Sequence, residues 1–321
     1  MMRTSPPRTA FAAGADFPSR RRFIGQVCAL GLAFGMAGRA GAQAAPALIL
    51  RQIPSSGERV PVIGLGTARR YEDAASEADL APLRATLKAF EAGGGRMIDT
   101  APSYGMAESV VGALVADLGI RRSMFLATKV GANGKDAGRA QIERSFIQLR
   151  TDRIDLISVH NLRDTATQLA TLRELKQAGR IRYLGMTTSF DGQYDAFEAT
   201  MKRETLDFVQ VDYALDNRGA GERLLPLARD RGMAVMVNLP FGRGRLFSAV
   251  QGRPLPEWAG DFDCHSWAQF FLKYIVSNDA VTVAIPGMAK PEYVIDNLGA
   301  ATGRLPDAAM RRRMEAYIDA L

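Results

Sequence analysis

Short apolar runs alternate with longer amphipathic stretches from Leu48 to the carboxyl end of the chain. The apolar runs occupy residues 62–67, 97–101, 125–130, 154–160, 181–188, 208–213, 234–240 and 281–287. Their lengths and near-continuous hydrophobicity suit strands buried on both faces. Between them, stretches such as 80–92, 108–118, 140–149 and 169–178 place apolar residues at helical spacing. Such alternation predicts an α/β chain with parallel strands, and eight runs fit a (β/α)8 TIM barrel better than an open sheet. Upstream, residues 47–60 predict an N-terminal β-hairpin around Ser55-Ser56-Gly57 that closes the barrel bottom. Residues 306–321 predict a C-terminal helix, with Met310, Met314, Tyr317 and Ile318 packed toward the core. The longest connection, 241–265, is rich in Gly, Pro and Arg and predicts an irregular functional loop. Gly93-Gly94-Gly95 precedes a strand instead of following one, so it predicts a helix C-cap and not a dinucleotide fingerprint.

Before residue 45 the pattern changes. Ser19-Arg20-Arg21-Arg22-Phe23-Ile24-Gly25 leads into an uncharged run rich in Gly and Ala over 26–38, followed by Arg39 and Ala42-Gln43-Ala44. These parts predict a cleavable signal at 1–44, cut after Ala44 or alternatively Ala42, leaving 45–321 as the barrel domain. The apolar run is about a dozen residues, against roughly 20 for a stable membrane span, so no such span is expected. The arginine run resembles a twin-arginine signal, which implies export of the folded protein to the periplasm.

That leader also changes the charge picture. Its six Arg and one Asp carry five of the seven net positive charges and leave +2 on the remainder. No basic stripe with interleaved aromatics survives, so a nucleic-acid partner is not expected. Two Cys and two His in the whole chain cannot build a disulfide framework or a conventional His/Cys metal cluster. The chemistry is expected to be metal-free, in a monomer or weak homo-oligomer.

In a barrel of this kind, active residues close the strands at their C-terminal ends. Asp99 closes the second run, Tyr104 follows on its loop, Lys129 closes the third and His160 the fourth. A buried carboxylate needs a cation, and Lys129 on the neighbouring strand supplies one for Asp99. An ammonium beside Tyr104 stabilises its phenolate and eases proton release, while His160 can hydrogen-bond the same carbonyl oxygen. None of the four attacks carbon, so hydride from a nicotinamide is the economical partner.

Asp99-Thr100-Ala101 with Tyr104-Gly105 and Glu108, then Lys129, then His160, resembles the aldo-keto reductase signature in order and spacing. The resemblance runs from about residue 48 to 300 and implies a catalytic tetrad of Asp99, Tyr104, Lys129 and His160, with Tyr104 as acid and base. It also implies NADP as cofactor, with NAD possible, and a small aldehyde or ketone as substrate. For the cofactor it implies Gly66 and Thr67 after the first strand, Thr187 and Thr188 where the family usually has Ser-Asn, and Gln210 for the carboxamide. Pro240, Phe241, Gly242 and Gly244 match the pyrophosphate loop, and Pro286, Gly287, Lys290 and Asn297 match the adenine end. Asn238 stands where many members have the aromatic that stacks on nicotinamide. Gly287, Met288 and Tyr293 replace the Lys, Ser and Arg of a strong 2′-phosphate clamp, for which Arg243, Arg245 or Lys290 are the substitutes. Substrate walls are expected at 68–79, 161–166 and 241–265, with Tyr71, Phe247 and Trp258 as apolar contacts. Two other readings stay open: an exported nicotinamide-binding barrel acting as a sensor or subunit with little turnover, and a lyase or isomerase using Lys129 covalently. Asp99 works against the second by keeping Lys129 charged.

Overall fold

A computed structural model describes residues 47–321. The leader expected at 1–44 lies outside the described residues. The described chain opens with β1 (Leu50–Gln52) and β2 (Arg59–Pro61), an antiparallel pair registering Leu50 with Pro61. Eight parallel strands follow: β3 (Leu65–Gly66), β4 (Met97–Asp99), β5 (Phe125–Val130), β6 (Ile154–Val159), β7 (Ile181–Thr187), β8 (Phe208–Asp212), β9 (Ala234–Asn238) and β10 (Val281–Ala284). Each pairs with its sequence neighbour. Bridges between Ile63 and Ala284 and between Gly66 and Gly287 bring β3 back to β10 and close the (β/α)8 barrel.

Strand periodicity sorts the apolar residues into two layers. Ile98, Leu126, Ile157, Leu184, Val209 and Val235 face the helices. Met97, Phe125, Ala127, Leu156, Tyr183, Phe208, Ala234 and Met236 point inward and meet Ile53 and Val60 of the hairpin, which plugs the bottom as the sequence predicts. Phe125 and Tyr183 stack with centroids 5.7 Å apart, and Phe208 meets both. Each such ring contributes roughly 1.5–3 kcal/mol by leaving water. Along the inward rows the residue type then changes: Met97 gives way to Asp99, Ala127 to Lys129, Phe208 to Gln210, and Met236 to Asn238. The polar ends of otherwise apolar rows therefore gather at one mouth of the barrel.

The helices are α1 (Glu77–Ala92), α2 (Ala107–Asp117), α3 (Lys135–Gln148), α4 (Thr165–Gln177), α5 (Tyr194–Arg203), α6 (Gly219–Asp230), α7 (Arg245–Ala249), α8 (Trp267–Val276), α9 (Pro291–Gly299) and α10 (Ala308–Asp319). α1 begins at a capping box between Ser76 and Asp79 and ends at Gly93, with Gly94 at φ 84°, as the triple glycine predicts. α10 starts from the Asp307 cap and buries Met314 and Ile318. Among the described residues no helix is long and apolar enough to cross a membrane.

Two expectations change. The connection at 241–265 is not irregular throughout, because it contains α7 and a 3-10 turn over Glu257–Phe262, fixed by burial of Leu246, Ala259 and Phe262. The first strand is shorter than 62–67, with regular pairing only at Leu65–Gly66. At Gly66 a Cβ would lie 2.8 Å from Ile285 O, so glycine is required where this strand crosses the closing edge.

Candidate active site

Lys129 Nζ donates to Asp99 Oδ1 at 2.9 Å, to Asp99 Oδ2 at 2.8 Å and to the Thr100 carbonyl at 2.8 Å. All three ammonium donors are thus engaged, and with Asp99 4 % and Lys129 2 % exposed the pair is shielded from water. Burial raises the Asp99 carboxyl above its ordinary range, while the Lys129 charge and hydrogen bond, with a further hydrogen bond from Gln210, pull against it. Burial works against the Lys129 ammonium, but Asp99 and then Tyr104 outweigh it and hold its pKa above the ordinary value. The Asp99–Lys129 partnership inferred from the sequence is thus a direct contact.

Tyr104 lies over this pair, with Lys129 Nζ 5.1 Å from its ring centroid. Burial raises the Tyr104 phenol, Lys129 pulls it back, and Asp99 opposes that pull. His160 meets Tyr104 edge to face at 6.1 Å between centroids. Burial first, then the charges of Lys129 and Arg163, depress the His160 imidazole to about 3, so near neutral pH it is uncharged. A neutral imidazole offers one N–H donor and one acceptor, which suits polarisation of an oxygen without full proton transfer from the ring. Asn161, Leu162 and Asp164, just after His160, all have positive φ between 48° and 57°. Asp164 is tied by accepting from Gly134 N at 2.7 Å.

Asp99, Tyr104, Lys129 and His160 share one cavity of about 520 Å³. Of the residues expected at a cofactor, Gly66, Thr67, Thr187, Pro240, Phe241, Gly244 and Gly287 line it too. The others lie outside its lining. Thr188 is fully buried and organises the following turn, its hydroxyl donating to Gln193 Oε1 at 2.7 Å and accepting from Phe190 N at 3.1 Å. Gln210 is buried beside Asp99. Gly242 packs on Asp216, and Pro286 spends its carbonyl on Gly66 N at 2.9 Å. Lys290 is exposed, 4.0 Å from Glu292, and Asn297 is buried on α9. Arg245 is paired with Asp216 at 2.9 Å, which leaves Arg243, on the cavity wall, as the one of the three substitute cations without an acidic partner among the described residues.

The apolar contacts are partly corrected. Phe247 lines the cavity, but Tyr71 is fully buried in the core and Trp258 packs on Phe262, Phe270 and Tyr317. Arg69, Arg70, Glu72, Ser189 and Phe190 line the cavity without having been singled out from the sequence. Their only signal there is position in loops that follow strand ends. Asn238 also lines it, donating to Thr188 O at 3.3 Å while its Oδ1 is buried without a partner. Asp212, its registered neighbour on β8, has a carboxyl pushed by burial to about 6.

The model of the aldo/keto reductase family matches residues 62–318. Aldo-keto reductase YhdN of Bacillus subtilis (strain 168) is 34% identical over 179 residues, covering 50% of this chain and 52% of the relative, so the match spans about half the length of that protein. The NADH-specific methylglyoxal reductase of Escherichia coli (strain K12) is 25% identical over 277 residues, covering 68% of this chain and 83% of the relative. A crystal structure of an aldo-keto reductase from Klebsiella pneumoniae in complex with NADPH superposes with a TM-score of 0.70 at 25% identity, over 85% of this chain and 95% of that one. The family match spans most of the chain, and the chain belongs to the aldo/keto reductase family.

Proposed function

We propose that the protein is an NAD(P)H-dependent reductase of a small aldehyde or ketone, with Tyr104 as general acid. The observation that carries this reading is the buried Lys129–Asp99 pair beneath Tyr104, with an uncharged His160 facing the same cavity. The residues present fit a nicotinamide dinucleotide. Gly244, at φ 97°, would have nothing within 4 Å of a Cβ, and the unpartnered Asn238 Oδ1 offers an acceptor for a carboxamide N–H. Thr187, Asn238 and the turn from Pro240 to Gly244 would hold the group, with Arg243 near its phosphates and Gly287 toward the adenine end. When bound, it supplies the hydride that adds to the carbonyl carbon.

The chain's own residues do the rest. His160 and the Tyr104 hydroxyl converge on the carbonyl oxygen, and charge growing there is met by fixed donors. Tyr104 delivers its proton to that oxygen, and Lys129 stabilises the phenolate left behind. Asp99 keeps Lys129 charged and aimed. NADP is the preferred cofactor on the strength of the unpaired Arg243, and NAD remains an accepted alternative because Gly287, Met288 and Tyr293 bring no cation to the adenine end. Incubation of the purified protein with 4-nitrobenzaldehyde and NADPH carrying two deuterons at C4 should place deuterium on the carbinol carbon. An unlabelled or absent alcohol with both deuterated NADPH and deuterated NADH would sink the reading.

The same proposal extends to residues 1–44 as a twin-arginine export signal and to a periplasmic location. Support comes from the Arg20-Arg21 run and the uncharged stretch after it, and from a family match that starts only at residue 62. Replacing Arg20 and Arg21 by Lys should retain the protein in the cytoplasm with an unchanged fold. Undiminished export of that variant, followed by cell fractionation, would contradict the assignment.

A further inference from the structure

We propose that the substrate is a carbonyl compound that carries an anionic group, a carboxylate or a phosphate, received by Arg69 and Arg70 at the cavity mouth. This rests on the reductase reading and narrows it to a substrate class. The charges on the cavity wall are unbalanced. Asp99 and Lys129 cancel, which leaves Arg69, Arg70 and Arg243 against Glu72 alone. None of the three guanidinium groups forms an ion pair among the described residues, whereas Arg84, Arg182, Arg223 and Arg304 elsewhere all do. Glu72 forms no ion pair with either neighbour among the described residues, and its Oε1 accepts the backbone N–H of Arg69 at 2.7 Å.

The two arginines are held beside the reacting groups. Arg70 N and Tyr71 N both donate to Thr67 O, at 3.0 and 3.1 Å, and the buried Tyr71 ring anchors the turn from below. Arg69 sits at φ 59°, a conformation that glycine would adopt more easily and that this turn imposes on an arginine. Met106 N donates to Glu72 O at 2.9 Å, tying the turn to the loop that carries Tyr104. Gly105 permits that closeness, since a Cβ there would lie 2.7 Å from Glu72 O. Arg243 belongs to the glycine turn proposed for the cofactor's phosphates, and the Arg70 stem packs on Gly287, where a Cβ would meet its Cγ at 3.4 Å and its Nε at 3.6 Å, so Arg69 is the cation set apart from the cofactor side and Arg70 reaches toward both.

The lining also carries exposed apolar rings. Phe190 is 52% and Phe247 39% exposed, and both line the cavity, with Phe241 packed 4.9 Å from Phe247. A lining that holds both apolar rings and unpaired guanidinium groups suits a molecule with an apolar body and an anionic end. A guanidinium fork matches the oxygens of a carboxylate or phosphate in two parallel hydrogen bonds, which fixes orientation as well as affinity.

The test compares 4-carboxybenzaldehyde and 4-formylphenyl phosphate with benzaldehyde, for the wild type and for the double variant Arg69→Gln, Arg70→Gln. Wild type should favour at least one charged aldehyde by about 10- to 100-fold in kcat/KM, mostly through KM, and the preference should collapse in the variant. Which charged aldehyde is favoured separates the carboxylate from the phosphate. Benzoate binding to the NADP-saturated protein, measured by calorimetry, gives a readout without turnover and should weaken by about tenfold in the variant. An unchanged charged-to-neutral ratio together with unchanged benzoate affinity overturns the proposal. So does a variant that loses NADPH affinity while the ratio stands, since the arginines then serve the cofactor. If no aldehyde is reduced but the wild type binds benzoate and the variant loses it, the anion site stands and the reductase reading falls.

Discussion

Tyr104→Phe should lower kcat for aldehyde reduction by about 10²- to 10⁴-fold, the range that one positioned proton donor contributes. The substitution removes a single oxygen from a half-buried ring whose edge-to-face contact with His160 survives in phenylalanine. Affinity for NADPH, followed by fluorescence titration, should therefore change little. The Lys129 ammonium keeps its three acceptors on Asp99 and Thr100, so the ion pair stays in place. Residual hydride transfer would then report what His160 and positioning supply without the acid. Turnover near the wild-type value would mean that another group protonates the oxygen.

Lys129→Met should be at least as damaging to kcat and far more costly to the fold. It takes away the charge that pulls the Tyr104 phenol down, and it strands a carboxylate that is 4 % exposed. Breaking a buried pair by removing one partner costs about 3–5 kcal/mol. Asp99 escapes part of that cost by binding a proton, because burial pushes its carboxyl up once the ammonium is gone. Combining Lys129→Met with Asp99→Asn should recover about 1–3 kcal/mol relative to the sum of the single losses, as expected for side chains in contact. Urea denaturation of the four proteins measures this coupling directly. Strictly additive losses would show that the two side chains do not meet in solution.

The site was legible where strand periodicity and charge pairing act together. The inward row of β4 ends in Asp99 and that of β5 in Lys129, and a lone carboxylate in such a row demands a cation within reach. Register gives the finer detail. Asp99 pairs with Ala127, so Lys129 starts two residues further up and its long stem folds back to the carboxylate. Residues whose roles depend on how a loop turns were less legible. Tyr71 looked like a wall residue by its position after β3, but the turn at Thr67 carries its ring into the core while the charged neighbours Arg69 and Arg70 stay at the mouth. Thr188 follows Thr187 in sequence, and alternation sends only Thr187 to the cavity. The helix inside 241–265 was hidden because the segment around it is rich in Gly, Pro and Arg, and burial of a few side chains outweighs weak local propensity.

The closing edge of the barrel bears on how the protein comes apart. β5 and β6 share a run of registered pairs from Ala127 to Val130, and β8 and β9 one from Phe208 to Asp212. β3 and β10 share no regular ladder. They are joined by hydrogen bonds from Gly64 N to Ala284 O, Ala284 N to Val62 O and Gly66 N to Pro286 O. With so few bonds, this seam is the natural site of low-energy opening, well short of global unfolding. Its upper lip is formed by Gly66 and Gly287, both on the cavity wall. A cofactor held as proposed would span both lips, so losing it and parting the seam would be linked equilibria, and binding would tighten the barrel by mass action. Resistance of the folded chain to proteases should therefore track how much of it is loaded.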